Sequence, residues 1–259
     1  LLYVADLELW VKDVSIHGYA DDFTTSFSSK DEEEVIKRLE DDAMAILRYM
    51  ASNLLSANAQ KTGLMMIRPM RSTRVASVVI GGATIQERDN HSILGLTVNN
   101  TLTWNDHVYG KGGLLSSVRH RVGSLRRLSF HIPRACLSPI AMAIISSKIR
   151  YGIGIFGPVK KSHSDPVPGM MRDLQVAMND AMRIATGSRL RDRVSVLELL
   201  ERTGFCSVNH MSAQNKLMLA WHAINVPNSP LREAFVSEQD DSAPASRSKS
   251  RGDVRTTAR

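Results

Sequence analysis

The sequence predicts an α+β fold, and three observations carry that expectation. In residues 1–106, short apolar and β-branched runs are punctuated by the pairs Asp21-Asp22, Gly81-Gly82 and Asn99-Asn100, the pattern of antiparallel hairpins. Residues 29–54 within that region instead repeat their apolar side chains at helical spacing. From 107 to 225 helical spacing takes over. An antiparallel sheet with a packed helix, followed by a helical region, is the architecture such patterns build.

Taken in order, residues 2–11 mix apolar residues with Asp6 and Glu8 and read as a short helix or turn before the first strand. Strands at 14–19 and 23–27 then flank Asp21 and Asp22 as a hairpin. Ser29 followed by Glu32 fits a capping box, and Asp31, Glu33 and Glu34 suit the positive end of a helix dipole. The helix carries Ile36, Leu39, Ala43, Ile46, Leu47, Met50 and Leu54 on one stripe. The acidic run is read as its solvated start rather than a metal site, which needs inward-facing carboxylates.

A loop at 56–60 and a strand at 63–67 come next. Strands at 75–80 and 83–85 bracket Gly81-Gly82, and strands at 93–98 and 102–104 bracket Asn99-Asn100, a pair that tolerates positive φ. Beyond them, Leu114, Leu115, Val118, Val122, Leu125 and Leu128 form a helical stripe, and a second helix spans 135–149 after Pro133. Three more helices are expected at 170–187, 193–203 and 208–225, with Gly187 and Gly204 as stop signals and Leu217, Leu219 and Trp221 in the core. The tail from 227 to 259, rich in Ser, Arg, Asp and Pro, reads as disordered.

The 259 residues carry a net charge of +7 and a mean content of 43% hydrophobic residues, which leans toward an anionic partner. The charge is concentrated. Residues 1–60 hold 5 basic and 12 acidic side chains, whereas 107–164 hold 10 basic and none acidic. Solubility alone intersperses both signs, so a stretch of this length without acids points to nucleic acid contacted by Arg119, Arg126, Arg127 and their neighbours. The two cysteines, Cys136 and Cys206, have no metal-spaced partners and read as buried free thiols. No apolar run approaches the roughly 18 residues of a membrane span, and no signal peptide is evident at the start. The expectation is an intracellular protein of nucleus or cytoplasm, neither secreted nor membrane-bound.

Adjacent aspartates at a tight turn repel each other and call for a cation or open water. A hard divalent ion held by one or two carboxylates plus substrate phosphates is one use; a plain polar turn is the other. Tyr19-Ala20-Asp21-Asp22 is more specific than the acid pair alone, and four further blocks, one before it and the others after, stand in the right order. The segment Leu2-Tyr3-Val4-Ala5-Asp6-Leu7 resembles "YINDL", and Leu55 through Asn58 to Lys61-Thr62 resembles "LxxNxxKT". Leu94-Gly95-Leu96-Thr97-Val98 with Leu102, Trp104 and His107 resembles "LGVxxDxxLxWxxH", and Leu125-Arg126-Arg127-Leu128 and Arg150-Tyr151-Gly152 match weaker patterns. Together these resemble reverse transcriptases of non-LTR (LINE-type) retrotransposons across most of residues 1–225.

The resemblance implies an RNA-directed DNA polymerase: the C-terminal part of a right-hand palm at 1–106, a basic helical thumb at 107–164 and a C-terminal helical region at 165–226. It implies two-metal nucleotidyl transfer with magnesium, or manganese in its place, held by Asp21 and Asp22. Tyr19 would lie near the primer end and Lys61 near the triphosphate as a proton donor to pyrophosphate, a surface lysine being the other reading. Residues 94–104 would correspond to the primer grip, and Arg119, Arg126 and Arg127 would grip an RNA template and DNA primer while dNTP is the substrate. Asn58 and Thr62 are expected to shape their loop. The family's third aspartate lies upstream of the matched blocks, so the chain reads as a fragment expected to bind template-primer weakly and not to extend it alone. The alternative is a non-catalytic nucleic-acid-binding remnant. Two positions depart from the family pattern: Gly18, where a larger apolar residue is usual, and Ala5, where Asn is common.

Overall fold

The computed structural model describes residues 6–20, 22–58, 61–68, 75–158, 169–227, 229, 231 and 232. The fold is α+β and divides into two compact units, Leu1–Ser117 and Val118–Arg259.

In the first unit a 3-10 turn, Leu7–Trp10, precedes a hairpin of β1 (Ser15–Tyr19) and β2 (Asp22–Ser26), and the long helix α1 (Glu32–Ser52) follows. The helix is capped by Asp31, whose carboxylate accepts the Glu33 amide at 3.0 Å, and not by the expected box of Ser29 and Glu32. The Ser29 hydroxyl instead donates to Glu34 at 2.6 Å and accepts the Asp31 amide at 3.2 Å. An anion at the cap satisfies an orphan amide and complements the dipole together, which a hydroxyl two residues earlier does not.

Three residues seven apart, Val35, Asp42 and Tyr49, are the most buried of α1. The Tyr49 hydroxyl donates to Asp6 at 2.6 Å and its ring meets Trp10 edge-on at 5.7 Å, which fastens the 3-10 turn to the helix. Leu54, expected on the stripe, lies past the helix end with φ +57° and is exposed.

Two further hairpins follow, β3 (Ser77–Ile80) with β4 (Ala83–Gln86) and β5 (Asn90–Ile93) with β6 (Leu96–Asn99), then the short helix α2 (Asn105–Tyr109). Among the described residues the three hairpins remain separate two-stranded ladders, so the single antiparallel sheet expected from sequence is not formed. The β3/β4 hairpin packs its apolar face on α1 instead, in a core of Val35, Leu64, Met66, Ala76, Val78 and Ile85. The strand expected at 63–67 is reduced to one parallel bridge from Leu64 to Glu87. Arg68 closes this core with a fork to Glu32 at 2.8 Å and to Glu87 at 2.6 Å, and Glu87 also accepts the Ala76 amide at 3.0 Å. Burial pushes the Glu87 carboxyl up, but the bonds from Arg68 and Ala76 outweigh it and hold the group below the ordinary glutamate range.

The last hairpin turns at Leu94-Gly95, with φ +48° and +78°, rather than at Asn99-Asn100. Glycine takes the left-handed conformation without a steric penalty. Asn99 is otherwise engaged: its carbonyl oxygen accepts the Thr103 amide at 2.7 Å and its amide donates to Asp106 at 3.0 Å, shaping the entry to α2.

Helix α3 (Leu114–Leu128) contains the boundary between the units. The second unit continues with α4 (Arg134–Ala141), a π turn (Met142–Ser146), α5 (Ser147–Arg150), α6 (Ile153–Phe156), α7 (Gly169–Thr186), α8 (Val196–Thr203) and α9 (Val208–Asn225). The run from α4 to α5 is one helical stretch; Pro139, which has no amide to donate, precedes the π turn. Helix α7 is the hub, burying Met171, Leu174, Met178, Ala181 and Met182 against α4, α8 and α9. The left-handed residues after α7 and α8 are Gly187 and Gly204, both at φ +72°, as their stop signals lead one to expect.

Helix α9 corrects a further expectation. Its buried residues are Val208, Met211, Ser212 and Ala223, with the Ser212 hydroxyl donating to the Gly157 carbonyl at 3.1 Å. Leu219 leans on Gly154 yet is 39% exposed, and Leu217 and Trp221 face outward at 71% and 59%, so none of the three is a core residue. Cys136 is exposed and Cys206 half-buried, both free thiols, so the expected burial fails at Cys136. No helix among the described residues is long and apolar enough to cross a membrane.

Candidate functional site

The β1/β2 hairpin pairs Ser15 with Ser26, His17 with Thr24 and, last, Tyr19 with Asp22. That register leaves residues 20 and 21 as the connection. A two-residue hairpin turn matched to the strand twist has positive φ at its first position, and Ala20 adopts it at +55°. For alanine this conformation costs about 1–2 kcal/mol, strain of the kind that collects at functional turns. Asp21 lies outside the described residues. Asp22 is exposed, as is Tyr19 at 68%.

Gly18 is paired with Phe23, and a Cβ at position 18 would sit 3.1 Å from the phenyl ring. The ring covers the bare backbone, a cross-strand arrangement that offsets the weakness of glycine in a strand. The departure from the family pattern at Gly18 therefore has a local compensation on the facing strand.

What holds the hairpin in place was not apparent from the sequence. Asp42, 4% exposed on the inner face of α1, accepts the backbone amides of Val14 at 2.8 Å, Asp13 at 2.9 Å and Lys12 at 3.2 Å. Three donors converging on one carboxylate satisfy a charge that burial would otherwise make costly. They also fix the chain where it enters β1. The only sequence signal is a carboxylate seven residues from both Val35 and Tyr49, on the face that should be apolar.

Lys61 is exposed, with its amide donating to the Asn58 carbonyl at 3.0 Å and to the Asn58 side chain at 3.3 Å. The Thr62 amide and hydroxyl reach the same carbonyl, each at 3.1 Å. Asn58 thus closes the loop, and the Lys61 ammonium forms no ion pair among the described residues. The structure shows no contact between Lys61 and Asp22.

Arg119, Arg126 and Arg127 all lie on α3 and are exposed. Arg119 and Arg126, seven apart, share a face. Among the described residues none of the three is ion-paired, and Arg127 donates to the Ser124 hydroxyl at 3.0 Å. Arg121 differs: its guanidinium turns inward to the Ile144 carbonyl at 2.7 Å and ties α3 to the π turn.

An exposed carboxylate such as Asp22 is the right donor type for magnesium, a hard cation that takes one or two protein carboxylates and completes its shell with water and phosphate oxygens. Among the described residues no group of three His, Cys, Asp or Glu side chains is close enough to hold a metal ion. Among the described residues Asp22 is of the donor type such an ion takes, and they build no dedicated protein cage. Comparison with known proteins yields no matching family model, curated protein or solved structure.

Proposed function

We propose that this chain is the palm and thumb portion of an RNA-directed DNA polymerase of the non-LTR retrotransposon type. The observation that carries the reading is the hairpin: Tyr19 and Asp22 are the last pair of an antiparallel ladder, so Tyr-Ala-Asp-Asp spans a tight tip with an exposed carboxylate. Asp21 and Asp22 would hold magnesium at that tip, and when bound the metal lowers the pKa of the primer hydroxyl and stabilises the leaving pyrophosphate. Tyr19 offers an exposed ring beside the primer end, and Lys61, on a loop closed by Asn58, is free to swing its ammonium toward a triphosphate. Arg119, Arg126 and Arg127 take backbone phosphates of the template-primer, which requires no base readout.

The test joins the chain to a polypeptide that supplies the third carboxylate of the family. Magnesium-dependent extension of a DNA primer on an RNA template is expected, and Asp21→Asn should abolish it while leaving template-primer affinity unchanged. Extension that survives Asp21→Asn overturns the reading. A second reading, nucleic-acid binding without catalysis, is favoured by the unpaired arginines of α3. It predicts template-primer binding in a protein that never extends, whatever carboxylates are supplied.

A further inference from the structure

An open groove of about 410 Å³ lies in the second unit, between the end of α3, the start of α4 and the turn that follows α7. Four arginines line it, Arg126, Arg134, Arg183 and Arg189, against one carboxylate, Asp180. Asp180 is 3.8 Å from Arg183, and among the described residues the guanidiniums of Arg126, Arg134 and Arg189 have no carboxylate partner. The three guanidiniums without a carboxylate partner, around one groove, repel one another unless an anion lies between them.

Arg134 is set in place by the backbone. Gly187 closes α7 in the left-handed conformation, and a Cβ there would run into the Arg134 guanidinium. The guanidinium can lie on that turn because the residue is glycine, and a helix C-terminus favours a cation. At the rim Phe130, also lining the groove, is 81% exposed. A free phosphate would meet the arginines and leave the phenyl ring unused. A chain with both phosphates and accessible aromatic faces would engage both, since arginines track a backbone while an aromatic ring stacks an unpaired base. Duplex, whose bases are already stacked, cannot use Phe130.

We propose that this groove binds a single-stranded segment of nucleic acid, with Arg134 and Arg189 on its phosphates and Phe130 stacked on a base. The inference stands on the groove's own chemistry and does not rest on the polymerase reading of the hairpin.

The experiment titrates the full 259-residue chain into fluorescein-labelled oligouridylate, oligothymidylate and a duplex of equal length, following anisotropy across salt concentrations. Single strands should bind more tightly than duplex, and the RNA and DNA arms identify the source of the strand. Phe130→Ala should weaken single-strand binding by about 5- to 150-fold and Phe130→Trp restore it. Arg189→Ala, on an exposed turn, should lower the slope of log affinity against log salt by about 0.7. Arg134→Ala should do the same, with circular dichroism reporting whether its packing on Gly187 matters to folding; if that variant unfolds, Arg189→Ala and Phe130→Ala decide. Asp22→Asn should leave this binding unchanged, which separates its failure from that of the polymerase reading. Affinity unaltered by Phe130→Ala, or full competition by millimolar inorganic phosphate, would overturn the proposal.

Discussion

Replacing Asp42 by alanine removes the acceptor of three amides at the mouth of the candidate hairpin. The Val14 bond is buried, and the Asp13 and Lys12 bonds are partly so. An orphaned buried donor costs about 1–3 kcal/mol, and each partly exposed one about 0.5–1 kcal/mol because water replaces some of the lost bond. The sum is a loss of about 2–5 kcal/mol in the first unit. Hydrogen exchange read by mass spectrometry on a peptide covering residues 12–19 should therefore speed up about 30- to 4,000-fold. Asp42→Asn keeps one acceptor but turns an N–H donor on the same amides, so it should fall between alanine and the native residue. Arg38→Ala, which removes the half-exposed Arg38–Asp13 pair at 2.8 Å, is the control and should cost under about 0.5 kcal/mol. If Asp42→Ala exchanges no faster than that control, the carboxylate is not what mounts the hairpin.

Three other predictions follow from the same geometry. Ala20→Gly relieves the positive φ at the hairpin tip and should stabilise the first unit by about 0.5–1 kcal/mol despite adding chain entropy, measured by urea denaturation. Glu87, held below its ordinary range by Arg68 and Ala76, contributes stability that is present above the unfolded glutamate pKa, about 4.3, and lost as pH falls through the lower folded value. The difference in urea midpoint between the native chain and Glu87→Gln should accordingly shrink between about pH 6 and about pH 3; a constant difference would refute the assignment. Template-primer affinity should fall by about 0.7–0.9 log units per log unit of salt for each phosphate neutralised, and charge reversal at Arg126 and Arg127 should flatten that slope.

Features set by one residue's own conformational preference were legible in the sequence. Gly187 and Gly204 ended their helices where expected, and the hairpin formed but one residue early: residues 20 and 21 connect the strands and Asp22 pairs with Tyr19 in the ladder rather than sitting in the turn. The choice between Leu94-Gly95 and Asn99-Asn100 was not legible, because it depends on where the Asn99 side chain finds Thr103 and Asp106. Whether hairpins merge into one sheet is likewise a non-local matter, decided here by the apolar face of α1 that receives Val78 and Ile85. Trp221 misled because periodicity marks a bulky apolar residue without saying which face of α9 packs inward. At the candidate site, the exposure of Asp22 and of the arginines of α3 could be read from local pattern. Asp42 and the groove joining Arg126 to Arg189 could not, since each gathers groups from distant parts of the chain.

The most direct test of the polymerase reading is binding of manganese, as a paramagnetic stand-in for magnesium, followed by electron paramagnetic resonance with template-primer and a non-reactive nucleotide present. The native chain should remove free manganese from solution, and the double substitution Asp21→Asn with Asp22→Asn should abolish that uptake while the labelled template-primer stays bound. Equal manganese uptake by both proteins would contradict the assignment of the hairpin tip as a metal-dependent nucleotidyl-transfer site.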